Sequence, residues 1–490
     1  MIWLLFGCVL FNDVEVSNCV SARQCQDAYG STFTCNLDGS ENYCEEIVLP
    51  PQCTATPSDL FSADLHEDGS NPYDKTYIIG QLFDSNKDAG KIEAADLAFD
   101  DILETQTNDK WLNDMRIARV SCDYTVNNTN DDANELVAEL STFLVDTVGV
   151  SVIVGPSTSS KTYRAFQTVN TDSPSTLFIS PSATADILKT QDGTAHTQED
   201  PGLFWRTTGP DAFQANILHW HISNNTEISD VAIIYEEGIY GEGLFAQLTD
   251  TFTASNITVH SRILTSTESV TQSINGVMGD ASEIPALIFV ASEPNSIVQA
   301  IQDIGQYPST KIVLTDSAAK DEVLLGMASI VAGNTTLQER ISAQVSGTKP
   351  AIPNSSLYNI FKNRLESADT NVFAAHTYDA MWLGALSIAW AHYQQAPFDL
   401  KELGRGIRNI ADTNATSEIE LKKENWALIR NQFEQGNAIN LTGVSGNLDF
   451  NLETEELKTG IDIWTFSSDI SAFNTTMTCY ENDCEIDMGE

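Results

Sequence analysis

Positive charge is what this sequence has least of. Twenty-five lysines and arginines stand against 69 aspartates and glutamates, a formal net charge of −44 over 490 residues. No basic patch is concentrated anywhere along the chain, so nucleic acid and anionic membrane surfaces are excluded as partners by the field alone. Long hydrophobic runs are also missing, and none reaches the roughly 18 apolar residues of a membrane span. The most apolar stretch, Phe373 to Tyr393, is broken by His376, Asp379 and His392 and reads as a core helix. Several catalytic signatures are absent too. Gly443-Val444-Ser445-Gly446 does not supply a Gly-x-Ser-x-Gly elbow, and there is no Walker loop and no His-Glu-x-x-His helix. Gly241-Glu242-Gly243-Leu244-Phe245-Ala246 matches a loose dinucleotide pattern, but its glycines fall several residues after the strand instead of closing on it. His219 and His221 stand at i and i+2, which diverge on a helix, so they read as surface residues and not as metal ligands. The pairs Asp100-Asp101 and Glu236-Glu237 read as solvated. Neither a metal nor a cofactor is expected, and nothing supports an enzyme.

What is present points outside the cytoplasm. Nine cysteines cluster near the two ends: Cys8, Cys19, Cys25, Cys35, Cys44, Cys53, Cys122, Cys479 and Cys484. That distribution is disulfide usage. Leu4-Leu5-Phe6-Gly7-Cys8 resembles the lipobox at which a bacterial lipoprotein is cut and acylated, which would leave eight cysteines for four bridges. The apolar segment is short and has no Lys or Arg before it, and the alternative is that Met1 to Leu10 is a buried apolar strand. Eight Asn-x-Ser/Thr triplets would suit a glycosylated ectodomain equally well, but an Asn- and Thr-rich chain produces such triplets by chance. Cys479 and Cys484 are close enough in sequence to bridge each other.

Residues 1–18 are thus a signal- or lipobox-like segment, and 19–73, rich in Cys, Pro, Ser and Asp, a small stapled module with a linker. From Thr76 short β-rich runs alternate with amphipathic helices. Tyr77 to Gly80, Arg116 to Val120, Val150 to Val154 and Thr176 to Ile179 read as strands of one parallel sheet. A second series follows Thr207-Thr208-Gly209-Pro210, with strands at Val231 to Tyr235, Val259 to Leu264, Ala286 to Val290 and Lys311 to Leu314. The fold class is α/β, with two doubly wound parallel sheets.

Ordered motifs along these series carry a resemblance. Gly155-Pro156-Ser157-Thr158-Ser159-Ser160 follows one buried strand and Phe178-Ile179-Ser180-Pro181-Ser182-Ala183-Thr184 the next. Then come Phe204-Trp205-Arg206-Thr207-Thr208-Gly209-Pro210-Asp211, Tyr240-Gly241-Glu242-Gly243 and Thr377-Tyr378-Asp379-Ala380. Together they resemble the type I periplasmic-binding-protein family, branched-chain amino-acid-binding proteins especially, over roughly Thr76 to Phe466. The resemblance implies two lobes joined by a three-crossover hinge, at Arg206 to Pro210, Ser346 to Ala351 and Gly446 to Asn451. Lobe 1 would be 74–207 and 348–446, lobe 2 would be 208–347 with a final strand in 447–466, and 467–490 a Cys-bearing tail.

The same resemblance implies a ligand held between the lobes. Ser159 and Thr184, with backbone at Ser182, stand where the family holds an α-carboxylate, and an anion suits the opening of a helix at Ser159. Asp316 stands where an acid pairs the α-ammonium, Tyr240 where a ring covers the ligand from lobe 2, and Phe83 and Phe373 where the side-chain pocket is shaped. Two departures leave specificity open: Phe83-Asp84-Ser85-Asn86-Lys87 lacks the usual Ser-Gly-Pro, and Ser292 stands where an aromatic often closes the pocket. Thr158 also replaces a cysteine that some members pair with one near Cys122, so Cys122 needs another partner, for which the amino-terminal module is available. The implied function is capture of an amino-acid-like ligand by lobe closure and delivery to an ABC permease. The alternative is a sensory or regulatory envelope lipoprotein on the same fold, touching the membrane only through a lipid anchor.

Overall fold

A computed structural model describes residues 18–37, 42–62, 73, 76–108, 115–126, 130–171, 174–193, 196–225, 228–279, 284–366, 372–394, 399–411, 415, 418–480 and 483–486. Cys8 and Met1 to Leu10 lie outside the described residues. The chain opens with α1 (Ala22–Tyr29), capped by the Ser21 hydroxyl, and the hairpin β1 (Phe33–Asn36) and β2 (Tyr43–Glu46). Two disulfides, Cys19–Cys35 and Cys25–Cys44, hold this unit, whose core is little more than its own sulfurs. Such a segment is too small to bury a core of its own, and cross-linking supplies what burial cannot.

The next strand, β3 (Cys53–Thr56), corrects the expectation of a linker. It pairs antiparallel with β5 (Arg116–Asp123) at the edge of the first large sheet, and Cys53 bridges Cys122 directly across that pairing. The module is therefore fixed to lobe 1. The rest of this sheet comes from β4 (Thr76–Phe83), α2 (Ala89–Asn108), β5, α3 (Asn130–Thr142), β6 (Val152–Val154), α4 (Ser159–Asn170), β7 (Leu177–Ser180) and β8 (Phe204–Arg206). The strand order is β3-β5-β4-β6-β7-β8, parallel apart from β3. Strands β6 and β7 are buried along their whole length, as expected of parallel strands covered on both faces.

After residues 207–210 the chain enters a second sheet. It runs through α5 (Asp211–Asn225), β9 (Asp230–Glu236), α6 (Ile239–Ala254), β10 (Thr258–Leu264), α7 (Val270–Gly279), β11 (Ala286–Val290), α8 (Pro294–Asp303), β12 (Lys311–Leu314), α9 (Asp321–Val331), α10 (Thr335–Gln344) and β13 (Val345–Pro350). The glycines of the dinucleotide-like pattern lie inside α6 and form no phosphate loop.

The return to lobe 1 brings α11 (Ser356–Lys362), α12 (Ala374–Tyr393), α13 (Leu400–Ile410), β14 (Glu418–Glu420), α14 (Trp426–Glu434), β15 (Asn440–Gly443), β16 (Gly446–Asn447), β17 (Phe450–Asn451) and β18 (Glu456–Leu457). Helix α12 is buried from Ala374 to Ala391, and no helix among the described residues is long and apolar enough to cross a membrane. Helix α13 shows the sequence logic plainly: Asp399 caps Glu402 N–H, and Leu403, Ile407 and Ile410 repeat at helical spacing on its buried face. Between α2 and α12, Asp101 is buried against Arg364, Tyr378 and Lys423, so of the pair read as solvated only Asp100 is exposed.

The third crossover comes later than expected. Phe450 and Leu457 belong to the lobe 1 core, where Phe450 packs edge-on against Trp205 at 5.1 Å, so 447–457 stays with lobe 1. The chain passes over at 458–460. Then β19 (Ile461–Phe466), β20 (Phe473–Tyr480) and β21 (Asp483–Ile486) extend the second sheet, whose order is β10-β9-β11-β12-β13-β19-β20-β21. Residues 473–486, expected as a polar tail, are thus two strands of lobe 2, joined by the Cys479–Cys484 bridge.

Candidate functional site

The C-terminal ends of both parallel sheets open onto the space between the lobes, where loops rather than strands supply the side chains. From lobe 1 come the loop 155–158 into α4 and the loop 181–185 after β7. Gly155 has φ +94°, and a Cβ there would lie 2.4 Å from Leu82 O, so only glycine lets this loop approach β4. Thr158 is the N-cap of α4, its hydroxyl accepting from Lys161 N at 3.4 Å, and Ser159 is the first helical residue. Ser159 Oγ accepts from Ala185 N at 3.2 Å, Ser182 Oγ donates to Ser157 O at 2.8 Å, and Ser180 Oγ donates to Pro156 O at 2.7 Å. These bonds tie the two loops into one surface that includes buried Ser159 and Thr184.

The second loop is also held from below. Arg206, 1% exposed, donates to the carbonyls of Ala183 and Ala185 at 3.1 Å and grips Glu456 through Nε at 2.7 Å and Nη2 at 2.5 Å.

Lobe 2 presents an acidic cluster. Tyr240 donates its hydroxyl to Asp316 Oδ1 at 2.7 Å, with Thr315 Oγ1 at 2.8 Å, and Ser317 N–H also donates to Asp316 at 2.9 Å. Beside Asp316 lies Asp211, the first residue of α5, fully buried. Its N–H donates to Thr184 O at 2.9 Å, which joins the cluster to the lobe 1 loop, and the Thr184 hydroxyl is the side chain that bears on its carboxyl. Burial, and then the neighbouring Asp316 charge, push the Asp211 carboxyl well above the usual carboxylate range. Burial raises Asp316 as well, against the opposing hydrogen bonds of Tyr240 and Gln214. The nearby cations are committed elsewhere: Arg206 to Glu456, and Lys320 to Ser292 O at 2.7 Å. Burial and mutual repulsion thus act together against both carboxyls being charged.

Of the remaining expected residues, Phe83 is buried and lies against Gly155, and Phe373 is buried at the start of α12, with Lys91 Nζ 5.6 Å from its ring centroid. Ser292 bonds Glu236 and not Asp316. Its N–H donates to Glu236 at 2.8 Å and its hydroxyl at 2.9 Å, so the carboxylate that ends β9 fixes it and the second acidic pair is not simply solvated either. His219 packs on Phe252 and His221 bonds Ser346 Oγ, so the two histidines share no ligand. Asp211 closes the Phe204 to Asp211 motif but was not among the expected site residues.

The lobes meet across this space. A Cβ on Gly238 would sit 3.5 Å from Ser160 Oγ, one on Gly243 would sit 3.8 Å from Ala185 Cβ, and Lys87 Nζ reaches Glu293 Oε1 at 2.9 Å. With side chains 60% and 61% exposed, that ion pair adds little stability.

The model of the receptor family ligand binding region matches residues 93–469, well over half of the chain. The chain belongs to that family. Among solved structures this family member is similar to a leucine-binding protein of Thermotoga maritima, at 14% identity over 82% of this chain and 99% of that one with a TM-score of 0.60. A branched-chain amino-acid transporter substrate-binding protein of Streptococcus pneumoniae, solved with isoleucine, matches at 18% identity over 84% and 99% with a TM-score of 0.57. A solute-binding protein of an R. palustris ABC transporter, solved with 4-hydroxybenzoate, matches at 12% identity over 83% and 98% with a TM-score of 0.58. These likenesses establish the type I binding-protein fold. No curated protein sequence matches the chain.

The raised Asp211 carboxyl gives a prediction with a definite sign. A carboxyl favoured in its protonated form by folding destabilises the native state as pH rises from its unfolded value near 4 toward its folded value. Asp211→Asn should therefore stabilise the ligand-free protein at pH 8 by about 1–3 kcal/mol, with the gain vanishing near pH 4. Urea unfolding at the two pH values measures it, and equal stability of both proteins at pH 8 would refute it.

Proposed function

We propose that this chain is an exported binding protein, not an enzyme, whose lobes close around one small ligand bearing both an ammonium and a carboxylate, an amino acid or a close relative. The observation that carries this reading is the pair of adjacent buried acids, Asp211 and Asp316, which among the described residues have no lysine or arginine hydrogen-bonded to them, beside the hydroxyl-lined loops at Ser159 and Thr184. An ammonium between the acids would relieve their mutual repulsion, and a carboxylate at the start of α4 would meet free N–H groups and the positive end of the helix dipole. Tyr240 would then orient Asp316, and Phe83 and Phe373 would bound the apolar part of the ligand. Family members of known structure bind leucine, isoleucine or 4-hydroxybenzoate, which supports a small carboxylate ligand.

Delivery to an ABC permease, with tethering through Cys8, is the transport form of this reading. A sensory or regulatory role is the second, favoured by the module fixed to lobe 1, where Val20, Leu37, Tyr43 and Val48 are exposed. Neighbouring permease and ATPase genes, with ligand-dependent uptake in vesicles carrying that permease, would favour the first; an isolated gene or an adjacent histidine kinase would favour the second.

A thermal-shift screen of the oxidised chain against amino acids, amides, small peptides and purines tests the common part. A ligand at 100 times its Kd adds about 2.7 kcal/mol. The expected result is a hit among amino acids that weakens about 100-fold in Asp316→Ala, since a lost charge-assisted contact is worth about 1.5–3 kcal/mol. A folded protein that responds to none of these compounds refutes the amino-acid reading.

A further inference from the structure

Positive charge is scarce in this chain, yet two lysines stand at the interlobe space without a role in the proposed site. Lys87 of lobe 1 bonds Glu293 of lobe 2 at 2.9 Å, so the segment that leads into α2 and the loop after β11 face each other across that space. Lys320, four residues beyond Asp316, reaches the same loop: its Nζ donates to Ser292 O at 2.7 Å, one residue before Glu293. From lobe 1 comes Lys91, in the first turn of α2, with Nζ 2.8 Å from Asp88 Oδ1 and 5.6 Å from the centroid of the Phe373 ring. The two lysines differ in how they are balanced. Lys91 has the carboxylate of buried Asp88. Lys320 is half-buried and donates to a neutral carbonyl, and no carboxylate among the described residues pairs with it: Glu293 is held by Lys87, and Glu236 accepts from Ser292. Burial, and then the charge of Lys91, hold the Lys320 ammonium below the usual lysine range, while Glu322, Glu293 and Glu236 oppose this more weakly. The Lys320 charge is also felt at Asp316, which sets it near the ammonium end of the site.

Sinking an ammonium against a carbonyl, and bringing a second ammonium toward it from the opposite lobe, are both unfavourable, and an anion placed between them offsets both. We propose that the far end of the ligand is a second carboxylate, taken by Lys320 of lobe 2 and Lys91 of lobe 1, so that the substrate class is an acidic amino acid and not the aliphatic ones named for the leucine and isoleucine proteins of this fold. Each ammonium has three donors, of which Ser292 O and Asp88 occupy one apiece, so donors remain on both for a ligand. The three charged groups of such a ligand meet three separate places: the start of α4, the Asp211 and Asp316 pair, and the two lysines. Because the lysines belong to different lobes, the second carboxylate also favours closure. An amide in its place brings no charge to set against theirs, and a site built for one polar group discriminates against the isostere that lacks it.

This inference rests on the interlobe space being an amino-acid site, and its test separates the two. Calorimetric titration of the full chain near neutral pH compares glutamate with glutamine and aspartate with asparagine, pairs alike in shape and different in charge. In the wild type the acid of at least one pair should bind about ten-fold tighter than its amide or more, the least that one charge-assisted hydrogen bond contributes. In Lys320→Met that ratio should fall to within about two-fold, while Lys320→Arg, which keeps the charge, should preserve most of it. Lys320 is the N-cap of α9 without a side-chain capping bond, so neither variant removes a cap. Amides that bind as tightly as their acids in the wild type, or a Lys320→Met variant that weakens acid and amide equally, overturn the assignment and leave the amino-acid reading intact. Binding of no amino acid by the folded wild type overturns both.

Discussion

Arg206→Ala should lower the unfolding free energy by about 3–5 kcal/mol, because it removes one partner of a buried ion pair and leaves the other. The guanidinium is almost fully enclosed, grips both oxygens of Glu456, and donates to the carbonyls of Ala183 and Ala185. Alanine leaves the Glu456 charge unpaired, the Ala183 carbonyl without its donor while Ala185 O keeps Leu188 N–H, and Asp186 and Asp211 without the Arg206 positive charge. The loop carrying Ser182 and Thr184 loses its support, so ligand affinity should fall with stability although Arg206 touches no ligand. The double variant Arg206→Met, Glu456→Leu distinguishes the causes. With both charges gone, most of the stability should return while affinity stays low, because the loop has lost the guanidinium that ties Ala183 O and Ala185 O together. Chemical denaturation and titration of both variants check this, and a stability loss under about 1 kcal/mol in Arg206→Ala would contradict it.

Opening the Cys53–Cys122 bridge should cost about 4 kcal/mol through the chain entropy released to a loop spanning 69 residues. The paired variant Cys53→Ser, Cys122→Ser should also loosen the amino-terminal module, because β3 is its strand in the lobe 1 sheet. Limited proteolysis should then cut between the module and β4 while the rest of the lobe resists. The Cys479–Cys484 bridge spans only 5 residues and should cost about 2 kcal/mol by the same relation. Equal effects of the two bridges would show that loop entropy is not what sets their contributions.

The architecture was legible because parallel strands buried on both faces read as short continuous apolar runs. Ala286 to Val290 and Val152 to Val154 are of this kind, and the amphipathic helices between them imply crossovers. The carboxy-terminal strands were not legible. In β20, Phe473, Thr475, Met477 and Cys479 do alternate inward, but threonines and asparagines fill the positions between, and a sheet edge needs few apolar residues. The late crossover was missed for a similar reason, since β17 and β18 are two residues each and only their packing on Trp205 assigns them to lobe 1. At the site, hydroxyl and acid positions came from ordered motifs. Asp211 needed three dimensions, because what distinguishes it is burial beside a second acid, and a sequence does not show which carboxyls the fold brings together. Ser292 was placed by analogy with an aromatic position, and the nearby Glu236 carboxylate holds it instead.

Neither lobe is a continuous piece of chain. Lobe 1 lacks α11 to α14 and β14 to β18 until residue 457 has been added, and lobe 2 lacks β19 to β21 until residue 486. A ribosome emitting this protein from its amino terminus never presents a finished lobe early, because the strands made first await helices made hundreds of residues later. Folding must draw on contacts of long sequence separation, which slows it and prolongs the exposure of unpaired strand edges. For this polypeptide, synthesis and folding are separate events in time, and the disulfide-stapled module at the front, closed by bridges spanning 16 and 19 residues, is the part that can form while the rest is still being made.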